Sequence, residues 1–345
     1  MHLSVMTRIS DVDESYILPW LLHYSKLGFD SAILNDFTVR YQFLTRNTVE
    51  HWQRLCSPME ITVISSTNKD PLDFWPGSLF FLKASQPSIH ESFSNDWIFH
   101  IDTDEYIYSP TSFRQFLSEL PPHVYQVQLF WIMIENIHGH THPHPYDAIN
   151  AMPWFSNPHV KSGSRLHSSL VPVGVHKWEV PFGKSTWVHS SILPVDHDLS
   201  VYPEYLDNLM KYKNVPFIFH LHTQSFKNVL FKISLHNSLG ISDDSQRLIL
   251  HDAIINTNPR RLLDLQKWIL SKAHRGEHVM FQMITHDDIG ISSTQPFALP
   301  PLHSIEDRVD LKKENELFET LFPTCTQRKF LEDCILQNAF PSLLT

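Results

Sequence analysis

The sequence is poor in glycine, cysteine and positive charge. Only 9 of its 345 residues are glycine, and it contains neither a G-x-G-x-x-G turn nor a Walker loop, which excludes phosphate cradles of that kind. The three cysteines, Cys56, Cys325 and Cys334, are odd in number and far apart. Without C-x-x-C spacing neither a disulfide framework nor a structural zinc site is indicated, and a reducing compartment is the expectation. Lys and Arg total 27 against 37 Asp and Glu, a formal charge of -10, which argues against a nucleic-acid binder needing a basic stripe. No run approaches the roughly 20 apolar residues of a membrane span. The stretch MHLSVMTRISDVDESY lacks the charged and apolar regions of a secretory leader, so a cytoplasmic protein is expected. What the chain does have is 42% hydrophobic residues and 23 histidines, enough apolar material for one large α/β domain or two smaller ones.

Apolar runs and helical patterns alternate through the first 130 residues. Strands are predicted over 2–7, 31–36, 60–65 and 96–101, and helices over 13–29, 48–56 and 112–120. Gly28 closes the first helix, and a helical connection over 78–93 is interrupted by Pro87. This alternation implies right-handed βαβ units and a parallel sheet flanked by helices, whose ligands bind at the carboxyl ends of strands. HVYQVQLFWIMI (123–134) reads as a long strand, and ENIHGHTHPHPYD (135–147) as a loop too rich in His and Pro for regular structure. Short strand-like pieces between 150 and 225 suggest an antiparallel portion, and the tail from 226 carries apolar stripes at helical spacing. The expected organisation is an α/β domain over 1–235 and a helical extension over 236–345 packing on it. Those stripes are also compatible with a dimer contact or a membrane surface, and oligomeric state stays open.

The stretch WIFHIDTDEYIYSP (97–110) runs an apolar strand into Asp102, Asp104 and Glu105. Two other D-x-D tripeptides occur, so position has to choose among them. Asp11 and Asp13 stand where a helix begins, and capping explains them. Asp196 and Asp198 flank His197 in a polar loop. Asp102 and Asp104 alone follow a central strand, and crowding carboxylates there costs roughly several kcal/mol unless a cation sits among them. Mg²⁺ or Mn²⁺, which bridge protein acids to substrate phosphates, are the natural candidates.

The stretch 97–110 resembles the W-x-x-x-x-D-x-D-E-[FY] signature of glycosyltransferase family 2-like and family 92-like proteins, which have the GT-A fold. VDESYILPWLLHYSKLGFDSAILND is similar to the family's opening segment through Tyr16, Trp20, Gly28, Asp30 and Asp36. HVKSGSRL is similar to V-K-S-I-V-R through Lys161, Ser162 and Arg165, followed by His176. FHLHTQSFKNVLFKI is similar to a later segment through His220, Ser225 and Lys232. The resemblance spans about residues 3 to 235, with Val12-Asp13, Phe37 to Arg40 and Gln224 departing from it.

The resemblance implies a metal-dependent, inverting glycosyltransferase of polysaccharide biosynthesis, moving a sugar from a nucleotide-sugar donor to a glycan or glycolipid acceptor. Asp102 and Asp104 would anchor Mn²⁺ or Mg²⁺ on the donor diphosphate, with His220 as a further ligand. His220 and His222 share one strand face and could equally be packed or solvated. Asp36 would meet the base or ribose, or serve as a turn acid. Lys161 and Arg165 would contact phosphate, or line a solvated strand edge, and Glu105 would be structural or face the nucleotide. The acceptor's proton needs a general base, for which Glu135 and Asp147 are candidates. His138, His140, His142 and His144 could bind Zn²⁺, Cu²⁺ or Ni²⁺, form a lid, or merely lie in a loop. Two other functions remain open: a non-catalytic GT-A-like glycan or partner binder, and a metal-dependent phosphoryl hydrolase using the same acids with these histidines.

Overall fold

The computed structural model describes residues 1–9, 13–36, 38, 43–65, 95–134, 145–146, 149, 154–166, 178, 181, 183–188, 191–194, 215–221 and 283–284. The connection over 78–93, the histidines at 138–144, the piece 168–177 and nearly all of the tail from 226 lie outside these residues. The chain divides into two compact units, one of residues 1–133, 154–220 and 282–296, the other of residues 134–153, 221–281 and 297–345. In the second unit Pro145, Tyr146 and Ile149 are helical. This corrects the end of the expected 135–147 loop: proline has no N–H to leave unbonded in the first turn of a helix, so it is no barrier there.

The first unit is built on a mixed sheet. Its strands are β1 (Leu3–Ile9), β2 (Ser31–Asp36), β3 (Glu60–Ser65), β4 (Trp97–His100), β5 (Glu105–Tyr108), β6 (Val124–Ile134), β7 (Trp154–Arg165), β8 (Ser185–Val188), β9 (Ser191–Pro194), β10 (Phe217–His220) and β11 (Met283–Ile284). The described helices are α1 (Glu14–Leu27), α2 (Arg46–Leu55) and α3 (Phe113–Glu119). The strand order is β3-β2-β1-β4-β7-β6-β10-β5, with β11 beside β7, β8 beside β6 and β9 beside β8. β3, β2, β1 and β4 run parallel. β7 turns antiparallel to β4, and β10 runs parallel to β6 but antiparallel to β5. This is the expected α/β class, a mostly parallel sheet with a small antiparallel part, consistent with a GT-A-like fold.

Local chemistry accounts for these elements. β1 and β4 are almost wholly buried, as strands covered on both faces are, and their cores are apolar with Ser4, Thr7 and His100 as buried polar exceptions. α1 ends where Gly28 takes the left-handed conformation at φ 92, its N–H reaching Ser25 O and that of Phe29 reaching Tyr24 O, an arrangement that favours glycine. α2 is capped by the Thr45 hydroxyl, which accepts from the Thr48 N–H. Two strands depart from expectation. β5 is cut from EYIY, directly after the acids and too short to declare itself by pattern. β11 is a two-residue strand inside the tail read as helical, paired antiparallel to β7 at Trp154 and Phe155.

The parallel strands bring their carboxyl ends to one edge, so Asp36 at the end of β2 and the segment after His100 open on the same side of the sheet. Close packing beneath this edge depends on Gly163, which pairs with Phe99. A Cβ added at Gly163 would lie 2.2 Å from the Phe99 ring, well inside contact distance, and the ring is buried with nowhere to retreat. Gly163→Ala is therefore expected to lower stability by about 3 kcal/mol or more in urea unfolding, since overpacking typically costs about 1–3. Adding Phe99→Leu should recover part of that loss.

Candidate functional site

The acids sit in a turn that α1 holds in place. After β4, Asp102 to Glu105 form a turn in which the Glu105 N–H donates to the Asp102 carbonyl at 3.0 Å. One face of α1, with residues three and four apart, meets this turn and the strand that follows. The Trp20 indole N–H donates to the Asp102 carbonyl at 3.0 Å. The Tyr24 hydroxyl donates to the Glu105 carbonyl at 3.1 Å and accepts from the Ile107 N–H, and His23 Nε2 lies 2.9 Å from the Ile107 carbonyl. Thr103 donates its hydroxyl to Asp13 Oδ1. Asp13 occupies the N-cap position of α1 but makes no side-chain capping bond. The capping explanation for Asp13 is thus corrected: its carboxylate ties the helix start to the acid turn.

The cation among the crowded carboxylates is Lys161. Its ammonium lies 2.6 Å from Asp102 Oδ2 and 3.3 Å from Glu105 Oε2, and its side chain is 1% exposed. Glu105 is fully enclosed, and its Oε2 also accepts the Asp102 N–H at 2.8 Å. Partial burial would raise the half-exposed Asp102 carboxyl, but the Lys161 ammonium and the His100 imidazole, 3.8 Å away, hold it well below the ordinary carboxylate range. Glu105 goes the other way. Burial, reinforced by Asp102 and Asp104 against the pull of Lys161, pushes it up to about 8. Lys161 is held above its ordinary value, burial being outweighed by Asp102 and Glu105. The resulting charge state is one ion pair, Asp102 with Lys161, beside a carboxyl that keeps its proton near neutrality.

Asp104 points to a different partner. It is buried, and its Oδ1 lies 3.7 Å from His220 Nε2, beyond hydrogen-bond length. Two donors each about 2.0–2.2 Å from a common ion can stand this far apart. His220 pairs in register with Glu105 across β5 and with Met133 of β6, and its ring packs on Trp131 with centroids 4.4 Å apart. Among the described residues no three His, Cys, Asp or Glu side chains converge to hold an ion. Asp104 and His220 offer one oxygen and one nitrogen donor, of the kinds that ligate divalent ions.

The structure thus brings together Asp102, Asp104, Glu105, Lys161 and His220. Glu105 is enclosed and supports the turn, so it does not face a ligand, and the Lys161 ammonium is engaged by the acids. Asp36 stands at the carboxyl edge of β2, half-buried, its Oδ1 accepting from the Thr38 N–H at 2.9 Å and hydroxyl at 2.6 Å. Arg165 is not brought to the acids. It pairs with Trp97, at the opposite end of β4, donates to the Val124 carbonyl at 2.7 Å and to Asn95 Oδ1 at 2.9 Å, and lies over the Trp97 ring. Its guanidinium is a structural clamp. Glu135, Asp147, His176 and His222 lie outside the described residues. His159 and Asn157 also stand near Lys161 on β7, where one imidazole among 23 gives no signal by spacing alone.

No protein-family model matches the chain, and no curated protein matches it. Among solved structures it is similar to TarS of S. aureus, with 14% identity over 93% of this chain and 55% of that one, at a TM-score of 0.28. It is also similar to a mycobacterial protein, with 10% identity over 70% of this chain and 76% of that one, at a TM-score of 0.29. The chain thus spans 55% of the length of TarS, and likeness at these TM-scores assigns it no function.

Two measurements test the charge arrangement. Lys161→Met should lower unfolding free energy by about 2 kcal/mol, since hydrogen bonds to charged groups contribute roughly 1.5–3. An unchanged urea midpoint would contradict the ion pair. Glu105 binds its proton more tightly when folded, at about 8 against an ordinary 4.5. Its stabilising contribution is thus complete below that ordinary value and is lost as pH rises toward 8. Glu105→Gln should flatten the decline of stability across that window, and an identical pH profile in the variant would count against a protonated Glu105.

Proposed function

We propose that the chain is a glycosyltransferase that moves a sugar from a nucleotide-diphosphate sugar to a glycan or glycolipid acceptor, with inversion and with Mn²⁺ or Mg²⁺. The observation that carries this reading is the acid turn itself. It sits at the carboxyl edge of a parallel half-sheet, where α/β folds bind nucleotides, and it offers Asp104 and His220 as two donors 3.7 Å apart. The order of the motif segments that resemble the family 2-like and family 92-like enzymes supports the same reading.

Asp104 and His220 are the residues to hold the ion, with Asp102 close by and half-exposed. When bound, such an ion offsets the negative charge that builds on a leaving diphosphate. The chain's own contribution is positioning. Lys161 fixes Asp102 and the turn, Trp20 and Thr103 tie that turn to α1, and Asp36 at the neighbouring strand end suits an acceptor of hydrogen bonds from a ribose or base. The domain over 1–235 would hold the donor, and contact with a membrane surface is left to the acceptor's nature.

One observation favours a second reading. Lys161 already neutralises Asp102, so the scaffold can be stable without an ion and could bind a glycan or nucleotide without turnover. Calorimetry with UDP-, GDP- and dTDP-sugars, with and without Mn²⁺, separates the two. The transferase reading expects binding that strengthens with Mn²⁺, is lost in Asp104→Ala, and leads to release of nucleoside diphosphate. Binding that ignores both Mn²⁺ and the substitution would favour the non-catalytic scaffold, and no binding of any nucleotide-sugar would sink the transferase.

A further inference from the structure

Sugar transfer to a hydroxyl needs a group to take up the hydroxyl's proton. Asp102 is tied to Lys161, Glu105 is enclosed, and Asp104 with His220 forms the donor pair, so none of these is placed for that task. Along β7, two residues from Lys161, stands His159. Strand alternation puts Asn157, His159 and Lys161 on one face, and two contacts agree. The His159 ring stacks on Trp131 with centroids 5.5 Å apart at 20°, and the Lys161 ammonium lies 5.9 Å from the centroid of the same indole. His220, which meets Asp104, also packs on that indole. A buried tryptophan is thus flanked by the imidazole of the donor pair and by a second, half-buried imidazole.

Asn157 orients this second imidazole. Its Oδ1 accepts the His159 backbone N–H at 2.9 Å and lies 2.8 Å from the ring Nδ1. A backbone N–H can only donate, which identifies the atom facing it as the amide oxygen. The ring nitrogen meeting that same oxygen must then carry a proton. In the neutral ring the lone pair is therefore on Nε2, the state a base requires. Asn157 is fully buried, so the amide that sets this tautomer is held in place by the core.

We infer that His159 is the general base of the transfer, an inference that rests on the sugar-transfer reading above. As the acceptor oxygen bonds to the anomeric carbon, its O–H proton passes to His159 Nε2. The bond from the anomeric carbon to the phosphate oxygen breaks, and its electron pair leaves on the nucleoside diphosphate. A histidine that only packs on Trp131 differs from a base in what its removal changes.

The test uses the full chain, UDP-, GDP- and dTDP-sugars as donors, and water or simple mono- and disaccharides as acceptors, reading released nucleoside diphosphate. His159→Gln is expected to cut release by about a hundred-fold or more, while the donor Kd from calorimetry stays within about two-fold. Added imidazole should restore part of the rate in His159→Ala, which a packing role would not allow. Release at the wild-type rate in His159→Gln, or loss of release only in Glu135→Gln, overturns the assignment. A wild type that binds donor yet releases nothing also contradicts it, while leaving the nucleotide site standing. Failure of the sugar-transfer reading is distinguishable, because it shows as absent donor binding in the wild type before any substitution.

Discussion

A lysine ammonium shut away from solvent sits between the half-exposed Asp102 carboxylate and the fully enclosed Glu105 carboxyl, and the rest of the site depends on that arrangement. Burying an amine of this kind is unfavourable by several kcal/mol unless charge and hydrogen bonds answer it. Asp102 answers with its charge, and Glu105 with an oxygen that also takes the Asp102 N–H. The three groups therefore fix the turn's backbone and its electrostatics together. Asp104, which lies two residues beyond Asp102, is delivered to His220 by the same turn.

The second constraint comes from α1. Trp20, His23 and Tyr24 lie on one helical face and reach backbone groups of the segment from 102 to 107, while Asp13 at the helix start takes the Thr103 hydroxyl. Two motif segments separated by about eighty residues in the chain are thus one structural unit. This gives a physical reason for aromatic residues at these helix positions beyond filling a core: their polar atoms satisfy the Asp102 carbonyl of the turn and backbone groups of β5, which ends the strand order. The acids can then be presented at the edge without loosening the sheet beneath them.

Much of this fold was legible in the residues. β2 and β3 fall on 31–36 and 60–65 as their apolar runs indicate, and Gly28 ends α1 because the chain must take a left-handed turn there. The site was legible only in part. Crowded acids call for a cation, but pattern alone does not tell a metal ion from Lys161, 59 residues away in sequence. Arg165 looked like a companion of Lys161, yet four residues along a strand amount to roughly 13 Å, enough to carry it to the far end of β4. β5 escaped notice because four residues give too little alternation. The pairing of Asn157 with His159 has no sequence signature, since an i, i+2 spacing acquires meaning only once the strand and its face are known.

The proposed diphosphate anchor is this turn, held by an internal lysine, with Asp104 and His220 as the donors for an ion. A crystal structure with UDP or GDP and Mn²⁺ tests it most directly. The account predicts the diphosphate at the turn from Asp102 to Asp104, the ion on Asp104 and His220, and Lys161 still paired with Asp102 and Glu105. A nucleotide bound away from the carboxyl edge of β4, or an ion held by other residues with Asp104 and His220 clear of it, would contradict the account.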